Sequence, residues 1–269
     1  MIIAQLSDPH VVVRGTEFHD LYKTIDKLQL AVDRVNNLVP RPDFIMLTGD
    51  LVNEGGVDEY AELKKVLESS KVPVYLGIGN HDCRETLRQT FGTEDYLPKE
   101  GFIQYAIEQE GLRSLMLDTN VHRQPYGTLC EERLAWLEKE LSEHPDTPTL
   151  IFMHHPPFET GIRAMDAMGL RDAEKFGEVV ARHPQIKRIF CGHLHRNISS
   201  EFYGVPSQIC ASTSHKVLLD LSEQGRLGTV DEPADILLHF WSPDAKTLVT
   251  HTSATKVPNI LWEIDEYPS

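Results

Sequence analysis

A chain of 269 residues with 41% hydrophobic and 25% charged side chains has the make-up of one large globular domain, or of one domain with a small appendage. Its formal net charge of −15 argues against a surface built to grip DNA or RNA phosphates, so no stable nucleic-acid partner is expected. No apolar run approaches the roughly 20 residues that cross a bilayer, so no membrane partner is expected either. The opening run Met1-Ile2-Ile3-Ala4-Gln5-Leu6 is too short and too poor in basic residues for a signal peptide. The cysteines at 83, 130, 191 and 210 lack C-x-x-C spacing and read as reduced thiols of a cytoplasmic protein.

In chain order, Ile2 to Leu6 reads as a first strand, and Ser7-Asp8-Pro9-His10 follows at its end. Asp8 and His10 stand two apart, so in an extended segment they point the same way, as two ligands of one metal ion would. Taken alone, the pair is equally a turn with an incidental histidine. Leu21, Ile25, Leu28, Val32 and Val35 repeat at helical spacing, and Pro40 and Pro42 end that helix. Phe44-Ile45-Met46-Leu47 is a buried strand, after which Gly49 permits a sharp turn into Asp50. Asp50 then sits at a strand's carboxyl end, where open α/β sheets place ligands, and a buried charge there needs a partner. Strand, helix, strand is the signature of a parallel β-α-β unit. A helix from about Asp58 to Leu67 turns Tyr60, Leu63 and Leu67 inward, and Val72 to Leu76 is the third strand. In the following Gly77-Ile78-Gly79-Asn80-His81-Asp82, Asn80 offers a neutral oxygen to a metal. His81, unable to reach the same ion, serves as proton donor or charge stabiliser.

Residues 83 to 101 are loop-rich, with a short helix around Arg84 to Phe91. Phe102 to Ile107 and Arg113 to Leu117 are predicted to pair around Glu110-Gly111, and Asp118, with no histidine or second acid beside it, reads as a turn. Leu129 to Leu141 is a helix with Leu134, Leu137 and Leu141 on one face and Trp136 packing. The strand Thr149 to Met153 ends in His154-His155-Pro156-Pro157. Adjacent strand residues point oppositely, so His154 is taken as the ligand and His155 as a supporting or packing residue. Ala173 to His183 is a helix. The strand Ile186 to Cys191 ends in Gly192-His193-Leu194-His195, whose histidines face one side and can serve two ions. Beyond about Tyr203, Ile209-Cys210 and Ile236 to Trp241 read as strands, the latter pairing with Leu248 to Thr252. Ser214 to Asp235 reads as an exposed loop or lid. His215, His239 and His251 have no spaced partners and read as surface or sheet histidines. Arg14 and Tyr22 either line the pocket or belong to a solvated loop and helix start. The last dozen residues, with Trp262 and Tyr267, are expected to pack on a neighbour.

Asp8, His10, Asp50, Asn80, His154, His193 and His195 all follow apolar strands, and parallel strands would gather them at one edge. Their mixture of oxygen and imidazole donors suits divalent or trivalent iron, manganese, cobalt or zinc rather than calcium or magnesium, and the lack of cysteine disfavours a structural zinc knot. The set is too large for one tetrahedral ion; with Asp50 shared it serves two, roughly 3.5–4 Å apart. Such a pair grips a phosphoryl group and lowers the pKa of a bound water, whose hydroxide attacks phosphorus in line, while His81 protonates the leaving oxygen or stabilises equatorial charge.

The ordered set Asp8-Pro9-His10, Gly49-Asp50, Gly79-Asn80-His81-Asp82, His154 and Gly192-His193-Leu194-His195 resembles the calcineurin-like metallophosphoesterase superfamily over about residues 1 to 200. The flanking Phe152-Met153-His154-His155-Pro156-Pro157 and Ile189-Phe190-Cys191-Gly192-His193 look closest to its bacterial class III cyclic-nucleotide and glycerophosphodiester phosphodiesterases. Pro9 departs from the pattern, in which threonine is common. The resemblance implies an α/β fold, a four-layer α/β/β/α sandwich with a small C-terminal cap. Residues 1–200 would form the catalytic core, and 201–269 the remaining core strands plus a cap or oligomerisation region. It implies that Asp8, His10, Asp50 and His195 bind one ion, that Asp50, Asn80, His154 and His193 bind the other, and that His81 is catalytic alongside Asp50. Asn80, His81 and His195 would also meet the substrate. The expected activity is hydrolysis of small phosphodiesters, cyclic nucleotides or glycerophosphodiesters, by a cytoplasmic homo-oligomer, a dimer or higher. The alternatives are a phosphomonoesterase or protein phosphatase, and a non-catalytic scaffold of the same fold.

Overall fold

A computed structural model describes residues 1–257, 259, 261 and 262; Tyr267 of the expected terminal contact lies outside them, and Trp262 is exposed. The first half of the chain forms β1 (Ile2–Leu6), α1 (Glu17–Tyr22), α2 (Thr24–Asn36), β2 (Phe44–Leu47), α3 (Val57–Leu67), β3 (Val74–Leu76), α4 (Arg84–Phe91), β4 (Tyr105–Gln109), β5 (Leu112–Met116) and α5 (Glu131–Glu143). The second half forms β6 (Thr149–Phe152), α6 (Arg163–Asp166), α7 (Ala173–Arg182), β7 (Ile186–Cys191), β8 (Ile198–Phe202), β9 (Val205–Ile209), β10 (Lys216–Val217), β11 (Thr229–Val230), β12 (Asp235–Ser242) and β13 (Thr247–Ala254).

The strands assemble into a five-stranded sheet, β13-β12-β1-β2-β3, and a six-stranded sheet, β4-β5-β6-β7-β9-β8. β1, β2 and β3 run parallel, as do β5, β6, β7 and β9; antiparallel strands flank both groups. The layering follows from the two-residue period of a strand. On β6 and β7, Leu150, Phe152 and Phe190 pack into one cluster with Ile3, Ile45 and Leu47 of the first sheet. The alternate residues Ile151, Ile189 and Cys191 pack instead with Leu137 and Leu141 of α5 and Phe176, Val179 and Val180 of α7. Leu28 and Val32 of α2, Tyr60 and Leu63 of α3, and Leu87 of α4 belong to the first cluster. The order of layers is therefore helix, sheet, sheet, helix, with Phe152 stacked on Phe190 at 5.1 Å between the sheets.

Most predicted elements lie within a few residues of the observed ones. The hairpin around Glu110-Gly111 forms with both residues at positive φ, 50° and 70°, as the tightest hairpin turn requires. The predicted helix beginning at Leu21 is in fact broken. Lys23 adopts a left-handed φ of 55°, its N–H closes on the His19 carbonyl, and α2 starts afresh at Thr24. Leu21 is consequently 72% exposed rather than inward. Residues 214 to 234 lie outside both large sheets, with β10 and β11 pairing only with each other, and Asp235 already begins β12; the first part of this segment is not an exposed loop, since Ser214, His215, Lys216, Val217 and Asp220 are buried. It is tied down by the Tyr22 hydroxyl on Thr229 at 2.8 Å, by Lys27 Nζ donating to the Ser214 carbonyl at 2.6 Å, and by Arg196 on Glu232 at 3.0 Å.

His239 on β12 is a sheet histidine, closed between the Gln5 side chain at 3.2 Å and Thr250 at 3.0 Å. Burial, with Arg188 nearby, pushes it down to about 3. The unfolded chain, with a histidine pKa near ~6.5, then binds a proton the folded state refuses. The contribution of the neutral ring is fully present above that pH and is lost as pH falls towards 3. Urea titrations at pH 7 and pH 5 are expected to show the wild type losing ~2 kcal/mol more over this interval than His239→Gln. Parallel losses would show that His239 is not held neutral.

Candidate metal centre

The carboxyl ends of β1, β2, β3, β6 and β7 meet at one edge. Past them lie Asp8 and His10, Asp50, Asn80 and His81, His154, and His193 and His195, respectively. The residues converge, but not by the extended-strand spacing expected of them. Asp8, His10, Asp50, His193 and His195 all adopt left-handed φ values, 50°, 44°, 46°, 72° and 55°. Side chains with a Cβ rarely enter this region, at a cost on the order of 1 kcal/mol or more each, and they persist there only when the surroundings hold them. Here the surroundings are specific. The His193 N–H donates to both Asp8 oxygens at 3.0 and 3.1 Å, the His81 N–H to Asp50 Oδ1 at 2.9 Å, and the His10 N–H to the Asp50 carbonyl at 3.0 Å. Gly49, at φ 90°, and Gly79 are required by the crowding: a Cβ on Gly49 would lie 2.6 Å from His154 Nδ1, and one on Gly79 would overlap the Asp50 carboxylate.

Asp8, His10, Asp50 and His195 form one cluster whose donor atoms all lie within 4.8 Å. His10 Nε2 is 3.1 Å from His195 Nε2 and 3.5 Å from Asp50 Oδ2, and His195 Nε2 is 3.4 Å from Asp8 Oδ1. The same Asp50 Oδ2 lies 3.3 Å from His154 Nε2, which is 3.2 Å from Asn80 Oδ1. His193 sits against His154 with ring centroids 5.1 Å apart, and its Nε2 is buried without a hydrogen-bond partner. His155 also comes within 4.8 Å of His154 and His193. Its Nδ1 is engaged by the Thr119 hydroxyl at 2.8 Å, as suits a supporting ring.

This donor set fits cations. Asp8 and Asp50 are 0% and 2% exposed, and the positive groups that act on them are histidines. Burial alone would raise both carboxyls. His195 and His154 beside Asp8, and His154, His81 and His10 beside Asp50, instead hold them below the ordinary carboxylate range, Asp50 well below it. Burial also disfavours charge on His154, but the Asp50 and Asp8 carboxylates outweigh it and lift the ring to about 9, so a proton there does the work of a cation. Burial pushes His10 and His193 down to about 3, leaving neutral rings with lone pairs. Three rings are oriented through their other nitrogen: His154 Nδ1 donates to the Thr48 carbonyl at 2.9 Å, His195 Nδ1 to the His215 carbonyl at 3.0 Å, and His10 Nδ1 to Asn53 Oδ1 at 3.3 Å. That is how metal-binding imidazoles are fixed, with Nε2 turned to the centre.

Several supporting residues escaped local sequence reading. Asp118 is no turn residue. It is fully buried, accepts two 2.7 Å bonds from Arg84, and has Arg133 at 3.8 Å. Beside it, Asn120 donates to the Gly79 and Asp82 carbonyls and so braces the Asn80–His81 loop. Asp82 accepts the N–H groups of Leu51, Val52 and Gly79 and the Tyr60 hydroxyl, clamping the Asp50 loop to the Asn80 loop. Burial and the nearby Asp50 push it up to about 7, against the pull of those donors. His215 is neither a surface nor a sheet histidine: its ring lies 4.6 Å from that of His195 and 4.4 Å from that of Tyr22. Arg14 pairs with Asp26 at 2.8 Å on the surface and is not among the residues lining the cavity over the centre.

A family model described as "Calcineurin-like phosphoesterase" matches residues 1–197. The chain is 35% identical over 254 residues, 94% of its own length and 93% of the relative's, to a protein of Arcobacter nitrofigilis named "Probable glycerophosphodiester phosphodiesterase". It is 39% identical over 251 residues, covering 91% and 89%, to one of Rhodopseudomonas palustris named "Probable cyclic nucleotide phosphodiesterase". A solved dimetal phosphatase from Danio rerio superposes with a TM-score of 0.71 over 95% of this chain and 96% of that one; at 13% identity it speaks for the fold.

Asp82→Asn turns an amide N–H towards backbone donors that now find a carboxylate. Stability is expected to fall by ~1–3 kcal/mol in urea titration, with a weaker metal affinity by calorimetry. Unchanged values for both would show that the clamp does not hold the two loops.

Proposed function

This chain belongs to the calcineurin-like phosphoesterase family, and on that footing we propose that it is a metal-dependent phosphodiester hydrolase working at the Asp50 centre. The observation that carries this reading is the shared oxygen: Asp50 Oδ2 faces His10 of one cluster at 3.5 Å and His154 of the other at 3.3 Å. Asp8, His10, Asp50 and His195 would hold one cation, and Asp50, Asn80, His154 and His193 the other, with iron, manganese, cobalt or zinc suiting the donors. Bound cations would supply Lewis acidity towards the phosphoryl oxygens and lower the pKa of an attacking water.

The protein's own groups do the rest. His81 Nδ1–H donates to the Asn53 carbonyl at 2.7 Å, which leaves Nε2 as the nitrogen available to a leaving oxygen. Desolvation disfavours charge on this ring, but the Asp50 carboxylate and the Asn53 carbonyl outweigh it and raise its pKa, so the proton is held ready. Asn80 and His195 would meet the phosphoryl group beside it. The cavity over the centre, about 320 Å³, has no lysine or arginine among its lining residues. With no ammonium or guanidinium beside the His81 proton to balance a second negative charge, a singly charged diester suits it better than a dianionic monoester. Relatives named for glycerophosphodiester and cyclic-nucleotide hydrolysis support the same class.

Residues 1–200 would form the catalytic core, and 201–269 would complete it and carry self-association. Exposed Phe240 and Val249, paired across β12 and β13, with exposed Val257, Leu261 and Trp262, support a homo-oligomer. Four free cysteines support a cytoplasmic setting, and no helix among the described residues is long and apolar enough to cross a membrane.

Metal-loaded wild type is expected to hydrolyse bis(p-nitrophenyl) phosphate. Asp50→Asn should lower kcat/KM by more than roughly 100-fold, the loss typical of removing even an outer partner of a metal ligand. No turnover by the loaded wild type would defeat the reading. His81→Ala should lower kcat by roughly 10²–10⁴-fold for an alkyl leaving group and by less for p-nitrophenolate, which departs without a proton. Equal losses would remove His81 from the role of acid.

A further inference from the structure

Asn53 stands between two histidines with different duties at the centre. Its side-chain oxygen accepts from His10 Nδ1 at 3.3 Å, and its backbone carbonyl accepts from His81 Nδ1 at 2.7 Å. Its amide nitrogen donates to Glu54 Oε1 at 2.9 Å. We propose that Glu54, an exposed carboxylate outside the donor set, governs the affinity of the cation held by Asp8, His10, Asp50 and His195, and that it does so by fixing the orientation of the Asn53 amide. The inference rests on reading those four residues as one cation's ligands. It makes Glu54 and Asn53 positioning residues that act through His10.

The two ends of the amide are not interchangeable. An ionised carboxylate only accepts, so Glu54 takes the Asn53 nitrogen and leaves the oxygen for His10. An oxygen facing Nδ1 demands a proton there, and His10 Nε2 is then a bare lone pair. That nitrogen lies 3.1 Å from His195 Nε2 and 3.5 Å from Asp50 Oδ2. With the amide turned over, its N–H would face Nδ1, the ring proton would move to Nε2, and Asp50 would accept from it. A ring in that tautomer points a hydrogen, not a lone pair, at the cation's position. His10 is 3% exposed, so water does not readily stand in for the Asn53 oxygen.

Only the side-chain half of Asn53 is free to turn. Its N–H donates to the Val11 carbonyl at 3.2 Å while its carbonyl holds His81, so the backbone is fixed from both sides. Glu54 is anchored in the same way, its N–H donating to Glu59 Oε2 at 2.9 Å. The two duties of Asn53 therefore separate. Loss of the side-chain bond weakens the cation's hold, whereas the acid keeps its backbone carbonyl. Direct attraction between Glu54 and the cation is the competing explanation. Glu54→Gln distinguishes the two, because it keeps an oxygen for the Asn53 nitrogen and removes the charge.

The test follows zinc binding to the full chain by nuclear magnetic resonance of isotope-labelled histidine rings, in chelator-buffered zinc. The His10 signals, identified by their loss in His10→Gln, report this site, and in the wild type Nδ1 is expected to carry the ring proton. Asn53→Leu should weaken zinc at His10 by about tenfold or more, as removal of a ligand's outer partner does. Glu54→Ala, at an exposed position, should weaken it about fivefold and shift the metal-free His10 ring towards the Nε2–H tautomer. Glu54→Gln should restore both to within about twofold of the wild type. At limiting zinc, Glu54→Ala should hydrolyse bis(p-nitrophenyl) phosphate more slowly than the wild type, and added zinc should recover the rate. Equal loss of affinity in Glu54→Ala and Glu54→Gln, or a wild-type tautomer and affinity in Glu54→Ala, overturns the assignment. So does a rate deficit that saturating zinc leaves in place. Tautomer and affinity changes as expected, with no diester hydrolysis by the loaded wild type, would instead sink the hydrolase reading and leave the role of Glu54 standing.

Discussion

Two buried carboxylates, Asp8 and Asp50, set the terms for everything around them. Neither is met by a lysine or arginine in its immediate surroundings; each faces imidazoles. Charges taken out of water need compensation of several kcal/mol, and neutral histidines do not supply it. A proton on His154 is a partial answer, and cations between the rings are a complete one. The left-handed backbone at the site follows from the same need. Donors that must converge from five strand ends within a few ångströms require the chain to turn back at each end, and the hydrogen bonds to Asp8 and Asp50 hold those turns in place.

The sheets exist, for this purpose, to bring the ends together. Parallel β1, β2 and β3 supply Asp8, Asp50 and Asn80 from one layer; parallel β6 and β7 supply His154 and the His193–His195 pair from the other. Packing of Phe152 and Phe190 against the first sheet fixes the relative height of the two groups. Asp82 and the Asp118–Arg84 pair then do locally what the core does globally: they lock the Asn80–His81 loop against the Asp50 loop. Such supports decide whether donors meet within tenths of an ångström, and they carry none of the chemistry themselves.

Strands followed by Asp, Asn or His were legible because their apolar runs are short and bounded by glycine or proline, and periodicity carried most of the helices. Convergence of Asp8 with His10, and of His193 with His195, was expected for a mistaken reason: the two-residue period of an extended strand does not apply where both members are left-handed. The Lys23 break between α1 and α2 was invisible because apolar spacing continues across it. Asp118 looked like a turn because its partners, Arg84 and Arg133, stand 34 and 15 residues away, beyond any local pattern. His215 reads as a surface or sheet histidine for the same reason. Its place beside His195 depends on Tyr22 and on the 214–235 segment folding back over the centre, which tertiary structure alone decides.

The most direct test is anomalous diffraction from crystals of the metal-loaded protein. The account predicts two peaks roughly 3.5–4 Å apart, with Asp50 touching both. A single peak, or two peaks of which Asp50 reaches only one, would contradict it.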